Sequence, residues 1–143
     1  MVRVGIAGGS GYSGIELTRI LLQHSEAEIT WLSSRRYAGK KVAELYPNLN
    51  SCSDICFSPL EPIPAANLDV LFLALPHGHA MKIVPDLPDG LLVVDLSGDY
   101  RISDPQIFEE FYHLPASDSG DQQKFVYGLP EINRKKISNA RRI

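Results

Sequence analysis

Apolar and polar positions change period several times along the chain, and each change marks an element. Val2 to Ala7 is a short, mostly apolar run that ends at glycine, the pattern of a buried parallel strand. From Tyr12 to His24 the period lengthens. Ile15, Leu17, Ile20, Leu21 and Leu22 gather toward one side of a predicted helix, and Glu16, Arg19 and Gln23 toward the other. Glu28 to Leu32 predicts a second strand, apolar at Ile29, Trp31 and Leu32. Strand, helix and strand close within about thirty residues, the length a βαβ crossover needs.

The stretch from Tyr37 to Ser53 is polar and turn-rich, broken by Gly39, Pro47, Asn48 and Asn50. Asp54 to Ser58 predicts a short strand, followed by a connection carrying Pro59, Pro62 and Pro64. Asp69 to Leu75 is the clearest buried strand and Gly90 to Leu96 the next, with a short helix predicted from His79 to Val84 and ended by Pro85. Asp104 to Tyr112 predicts a helix, with Ser103 or Asp104 as its cap and Pro105 in its first turn. Ser117 to Gln123 is a polar loop, and Phe125 to Tyr127 a short extended piece. The five basic side chains between Asn133 and Ile143 (Arg134, Lys135, Lys136, Arg141, Arg142) are read as a solvated helix or end. Strands alternating with helices make an open parallel α/β sheet the expected architecture.

Composition narrows the function. The 143 residues suit one domain with a buried core, and 44% hydrophobic against 22% charged residues excludes disorder. A net charge of −3 argues against nucleic acid as a partner. The best apolar run, Val70 to Leu75, falls far short of the ~18 residues of a membrane span. The glycine-interrupted start does not resemble a cleavable signal, so a cytoplasmic protein is expected. Cys52 and Cys56 form neither a disulfide framework nor a metal site, and are read as ordinary, partly buried thiols. No metal ligands are expected.

Gly8-Gly9-Ser10-Gly11-Tyr12-Ser13-Gly14 joins the first strand to the first helix, with a GxGxxG spacing at Gly9, Gly11 and Gly14 and a second triplet at Gly8, Gly11 and Gly14. Such a turn lets backbone approach a pyrophosphate without Cβ obstruction and faces it with free N–H groups and the positive end of the helix dipole. The end of the second strand selects the nucleotide. An NAD site usually places a carboxylate there for the ribose 2′-hydroxyl. Ser33-Ser34-Arg35-Arg36 offers two guanidinium groups and two hydroxyls instead, which suits the 2′-phosphate of NADP.

Two further runs end strands on the carboxyl edge, where open α/β sheets bind ligands. In Pro76-His77-Gly78-His79 a histidine either lines the cofactor, exchanges a proton or caps the next helix. In Asp95-Leu96-Ser97-Gly98-Asp99-Tyr100-Arg101 the arginine either holds an anionic substrate or pairs with Asp95 or Asp99 as a structural clamp.

These segments, with Ala74-Leu75-Pro76-His77-Gly78 and Tyr127-Gly128-Leu129-Pro130-Glu131, occur in an order that resembles the N-acetyl-γ-glutamyl-phosphate reductase family, relatives of aspartate-semialdehyde dehydrogenase. The resemblance covers essentially the whole chain. It implies a Rossmann-type doubly wound, mostly parallel sheet with helices on both faces, spanning residues 1–143 and binding NADP. The family's reaction is NADPH-dependent reductive dephosphorylation of an acyl phosphate to a semialdehyde in arginine biosynthesis. By position, Gly8, Ser10, Gly11, Tyr12, Ser13 and Gly14 would surround the pyrophosphate, and Ser34, Arg35 and Arg36 would meet the 2′-phosphate. Leu75, Pro76 and His77 would lie along the nicotinamide, with Ser97 and Gly98 nearby, and Arg101 is the candidate for the small acyl-phosphate substrate.

Gly98 and Tyr100 stand where the family often has Ala and Phe. The family's nucleophilic cysteine, in an Asn-Pro-Gly-Cys segment expected after Glu131, has no counterpart before Ile143. No catalytic residue is therefore expected in these residues, hydride transfer by them alone is not expected, and homo-oligomerisation is expected to belong to the family's separate catalytic domain. The alternatives are a related reductase acting on aspartyl phosphate or a carrier-bound aminoadipyl phosphate, and a non-enzymatic NADP-binding or sensing module.

Overall fold

The computed structural model describes residues 1–52, 54–116 and 120–143, the side chains of 50–52 apart. The Cys52 side chain and the 117–119 part of the predicted polar loop lie outside the described residues. Four strands, β1 (Val2–Ala7), β2 (Ala27–Leu32), β3 (Val70–Leu73) and β4 (Leu92–Asp95), form a sheet of order β2-β1-β3-β4. Every pairing is parallel, with Val4 opposite both Ile29 and Val70, and Val70 opposite Leu92. Parallel neighbours require crossovers. These carry α1 (Tyr12–Leu21) and α2 (Val42–Leu45) between β1 and β3, and α3 (Ala80–Ile83) between β3 and β4.

Alternation along the strands gives each face its own core. Val4, Ile6 and Leu32 pack with Val42, Leu49 and Phe57, and with Ile15, Leu17 and Leu21 of α1. Ala7, Leu71, Leu73 and Val93 point the other way, onto Ala80, Ile83, Val84 and Leu87. The result is a Rossmann-type, doubly wound sheet covered on both faces, as the sequence predicts. The strand order reverses between β1 and β3, and the glycine turn and the Leu75–His79 loop leave the sheet on either side of that reversal.

Several local expectations need correction. The first helix ends at Leu21 rather than His24, and Ile20 is half exposed. Thr18 takes the buried position instead, its hydroxyl donating to the Gly14 carbonyl at 2.8 Å. Residues 54–58 do not form a continuous strand; they make isolated bridges, Lys41 with Cys56 and Ser33 with Ser58, with backbone bonds divided between residues 39–42 and the Leu32–Ser34 end of β2. Cys56 is exposed rather than partly buried.

Pro105–Tyr112 forms the helix α4 as predicted, and the Asp104 carboxylate caps it by accepting from Gln106 and Ile107 N–H. Residues 121–124 form a 3-10 turn rather than plain loop. Pro130–Ile137 forms α5, whose basic residues are exposed. The chain then turns back to the sheet. Val93 N–H donates to the Arg141 carbonyl, and Asp95 N–H to that of Ile143. Arg142, expected in solvent, is 6% exposed and donates to the Leu91 and Pro88 carbonyls. A bridge beside β4 leaves this side chain facing inward, where it supplies a donor to the Leu91 carbonyl and a second one to the Pro88 carbonyl, which also accepts from the Leu91 N–H.

Candidate functional site

The glycine turn is shaped by contacts that admit no side chain. Gly8 has φ +84°, and a Cβ there would stand 2.3 Å from the Ala74 carbonyl oxygen. One at Gly9 would stand 2.1 Å from Leu32 Cδ1, and one at Gly14 2.4 Å from the Gly8 oxygen. These glycines seat α1 against the sheet. Gly11 differs. Its backbone is extended, and an added Cβ would meet only the Gly8 oxygen, at 3.5 Å. Nothing in the protein requires glycine there, and the space it leaves open faces the cleft.

Directly behind it α1 begins with no side-chain cap and no acidic residue in its first turn, so its leading N–H groups and dipole are free for an anion. The turn is braced from β2 and α2. Gly8 N–H donates to Ser33 Oγ at 3.2 Å, Ser10 and Ser34 hydroxyls share a 2.7 Å bond, and Tyr46 donates its hydroxyl to the Ser10 carbonyl at 2.7 Å. Burial pushes the Tyr46 phenol up, so it stays a donor.

The turn borders a cleft of about 260 Å³. The cleft is lined by Gly8, Ser10 and Gly11 of the turn, by Ser33, Ser34, Arg35 and Arg36 after β2, by Leu60, and by Ala74, Leu75, Pro76 and His79 after β3. Both arginines are exposed, neither has an ion pair among the described residues, and no carboxylate lines the cleft. Arg36 lies 5.3 Å over the ring of Tyr37. Two exposed guanidinium groups without ion pairs are a donor set of the kind that holds phosphate, while the Ser33 and Ser34 hydroxyls beside them are buried and bonded within the turn.

Other predicted residues fall outside this cleft. Tyr12 and Ser13 are exposed at the start of α1, and Gly14 is buried beneath the turn. His77 faces a neighbouring depression with Gly78, Met81 and Lys82. It does not cap α3; its Nδ1 accepts the Gly98 N–H at 3.0 Å. Ser97 and Arg101 line a second cleft of about 250 Å³, with Asp95, Tyr127 and Leu129, at the carboxyl end of β4. Arg101 donates to the Ser97 carbonyl at 3.3 Å and makes no ion pair with Asp95 or Asp99, so the proposed clamp is not formed. Burial pushes the Asp95 carboxyl up, against the Ser97 N–H and hydroxyl that donate to it at 3.0 and 2.8 Å. The Ser97 hydroxyl is thereby committed to the loop.

Sequence reasoning missed Leu60, which sits in a proline-rich connection with no pattern of its own. It also missed the role of Asp99, visible in the run from Asp95 to Arg101 but considered only as a partner for Arg101. The departure at Gly98 has a physical reason, since a Cβ there would come within 2.6 Å of the Tyr112 ring.

A glycine turn opening a helix at the switch point of a parallel sheet, with a basic corner at the end of β2, defines a dinucleotide-binding α/β domain. Comparison with known proteins names the lineage. Residues 3–140 match the semialdehyde dehydrogenase NAD-binding domain family, and the chain belongs to it. An N-acetyl-gamma-glutamyl-phosphate reductase of Nitrosococcus oceani is 48% identical over 145 aligned residues, which cover the whole chain and 42% of that protein. A putative [LysW]-L-2-aminoadipate/[LysW]-L-glutamate phosphate reductase of Picrophilus torridus is 40% identical over 98% of the chain and 41% of its own length. A crystal structure of aspartate semialdehyde dehydrogenase with NADP, from Candida albicans, superposes with a TM-score of 0.63 at 27% identity, over 73% of this chain and 32% of that one. The chain thus spans about two fifths of the length of the curated relatives named here.

Proposed function

We propose that residues 1–143 are the NADP-binding domain of an N-acetyl-γ-glutamyl-phosphate reductase, which reduces an acyl phosphate to the semialdehyde with loss of phosphate. The observation that carries the reading is the pairing, in one cleft, of an unneeded glycine at Gly11 with two unpaired arginines at Arg35 and Arg36. The first suits close approach of a pyrophosphate to backbone, the second the extra phosphate that separates NADP from NAD. Relatives named for this reductase, at 48%, 45% and 44% identity, support the substrate class.

When bound, the cofactor supplies a hydride. The chain's own residues hold and orient it. The Ser10–Gly14 backbone would take the pyrophosphate, and Ser34, Arg35 and Arg36 the 2′-phosphate. Leu75 and Pro76 would form the apolar wall along the nicotinamide half, with His77, Ser97 and Gly98 on the adjoining loops. Arg101 faces the second cleft beside Tyr127 and would present its guanidinium to an anionic substrate. The nucleophile and the oligomer contacts are assigned to a separate catalytic domain.

Calorimetric titration with NADP⁺ and with NAD⁺ tests the reading. NADP⁺ is expected to bind at least tenfold more tightly, with the preference abolished in Arg35→Ala. Equal affinities would refute the 2′-phosphate corner, and absence of binding would refute the cofactor reading for this chain.

A further inference from the structure

Of the residues the cofactor reading leaves unused, Asp99 is the most constrained. It is completely buried and makes no ion pair with Lys or Arg among the described residues. A buried carboxylate held without a cation is costly unless its oxygens are satisfied. They are satisfied by backbone 18 and 21 residues earlier: Gly78 N–H donates to Oδ1 at 2.8 Å and Met81 N–H to Oδ2 at 3.3 Å.

Within itself that earlier loop has two long backbone bonds, His79 N–H to the Pro76 carbonyl at 3.3 Å and Lys82 N–H to that of His79 at 3.2 Å. Gly78 has φ +79°, and α3 is one turn long, with His79 at its N-cap and no capping side chain of its own. Asp99 supplies the cap from the next strand's loop. A return link runs the other way, from Gly98 N–H to His77 Nδ1 at 3.0 Å. Because a backbone amide only donates, Nδ1 carries no proton in this arrangement, and the ring's exposed edge presents Nε2–H. The Asp99 oxygen 3.7 Å from Nδ1 is too distant for a hydrogen bond. Tyr112 of α4 packs over the junction, its ring against Gly98 and 5.3 Å from that of His77.

We propose that Asp99 is a positioning residue: it fastens the loop after β3 to the loop after β4 and so holds the Leu75–Pro76 wall of the dinucleotide cleft in its binding geometry. The inference rests on the cofactor reading above and adds a distal residue that touches no ligand. Asp99 governs the nicotinamide half of the cleft, leaving the glycine turn and the arginine corner independent of it.

The experiment compares two ligands on the chain and its Asp99→Asn variant. NADP⁺ would span the cleft, whereas adenosine 2′,5′-bisphosphate carries the 2′-phosphate and the adenosine-side phosphate of the pyrophosphate without the nicotinamide half. The asparagine turns an NH₂ toward one of the two donor amides, so one link is lost. NADP⁺ affinity is expected to fall at least tenfold while bisphosphate affinity stays within twofold. An equal fall for both would show a general structural role and overturn the proposal, as would no change in either. If the parent chain binds neither, the cofactor reading fails and takes this inference with it, whereas parent binding with an unchanged variant sinks the inference alone. Should the variant not fold, amide exchange on the parent decides. The Gly78 and Met81 amides are expected to be protected and the His77 imidazole to be the Nε2–H tautomer by nitrogen-15 NMR; rapid exchange at Gly78 or an Nδ1–H signal overturns the proposal.

Discussion

At Gly8 and Gly11 one residue type answers two different demands. Gly8 is required by the fold, since any Cβ collides with the Ala74 carbonyl in a left-handed backbone. Gly8→Ala is therefore expected to lower stability by about 2 kcal/mol or more, read by denaturant melting. Gly11→Ala meets only a contact at 3.5 Å and is expected to leave stability within about 0.5 kcal/mol while weakening NADP⁺ binding several-fold. A Gly11→Ala chain that binds NADP⁺ normally would show that nothing approaches this backbone.

Asp69 illustrates a charge effect of known sign. The Arg3 side chain and N–H hold its carboxyl down to about 2. Because the folded value is depressed, the pair's contribution is present above the unfolded value of about 4 and is lost as pH falls through about 2. Both partners are substantially exposed, so the effect on stability is small, but an NMR titration reads it directly. Arg3→Ala is expected to raise Asp69 only part of the way back, because the backbone N–H of residue 3 still donates to it.

Elements show why hydrophobic pattern goes only part of the way. Val2–Ala7 and Val70–Leu73 fall within their apolar runs because each is flanked by strands on both sides, and Leu92–Asp95 because β3 lies on one side and the 141–143 stretch on the other. Residues 54–58 have a similar local pattern, but their backbone bonds are divided between residues 39–42 and the end of β2, and they form isolated bridges rather than a strand. On α1 the periodicity places Ile20 with the core, yet the helix rotates so that Gly14 and Thr18 contact the turn and sheet. Ile20→Lys is accordingly expected to change stability by less than about 0.5 kcal/mol. Arg142 is the converse, a charge whose local sequence reads as solvent and whose strand bridge buries it. Arg142→Ala takes the donor from the buried Leu91 carbonyl, whereas the Pro88 carbonyl still accepts from the Leu91 N–H, and it is expected to cost about 2 kcal/mol in a denaturant melt.

For the whole molecule, the decisive feature is the reversal of strand order between β1 and β3. It puts the glycine turn, the end of β2 and the Leu75–His79 loop around one cleft, though the chain spaces them over some seventy residues. A ligand that bridges them stabilises the fold as a unit, by about 2.7 kcal/mol at a hundredfold excess over its dissociation constant. Thermal melts are expected to shift upward with NADP⁺ and much less with NAD⁺ at equal concentration. Equal shifts would mean that Arg35 and Arg36 do not read the 2′-phosphate.

By itself the sequence determined the alternation of strands and helices, the glycine turn, the basic corner and the family. All of these are properties of contiguous residues, where backbone sterics, hydrophobic period and charge act over a few positions. Only the tertiary structure decided which glycine of the turn the fold does not require, that Arg142 is buried, that Arg101 does not clamp Asp95 or Asp99, and that Asp99 caps a helix from another loop. Those depend on which segments the sheet brings within a few ångströms, and a linear pattern carries no such distance.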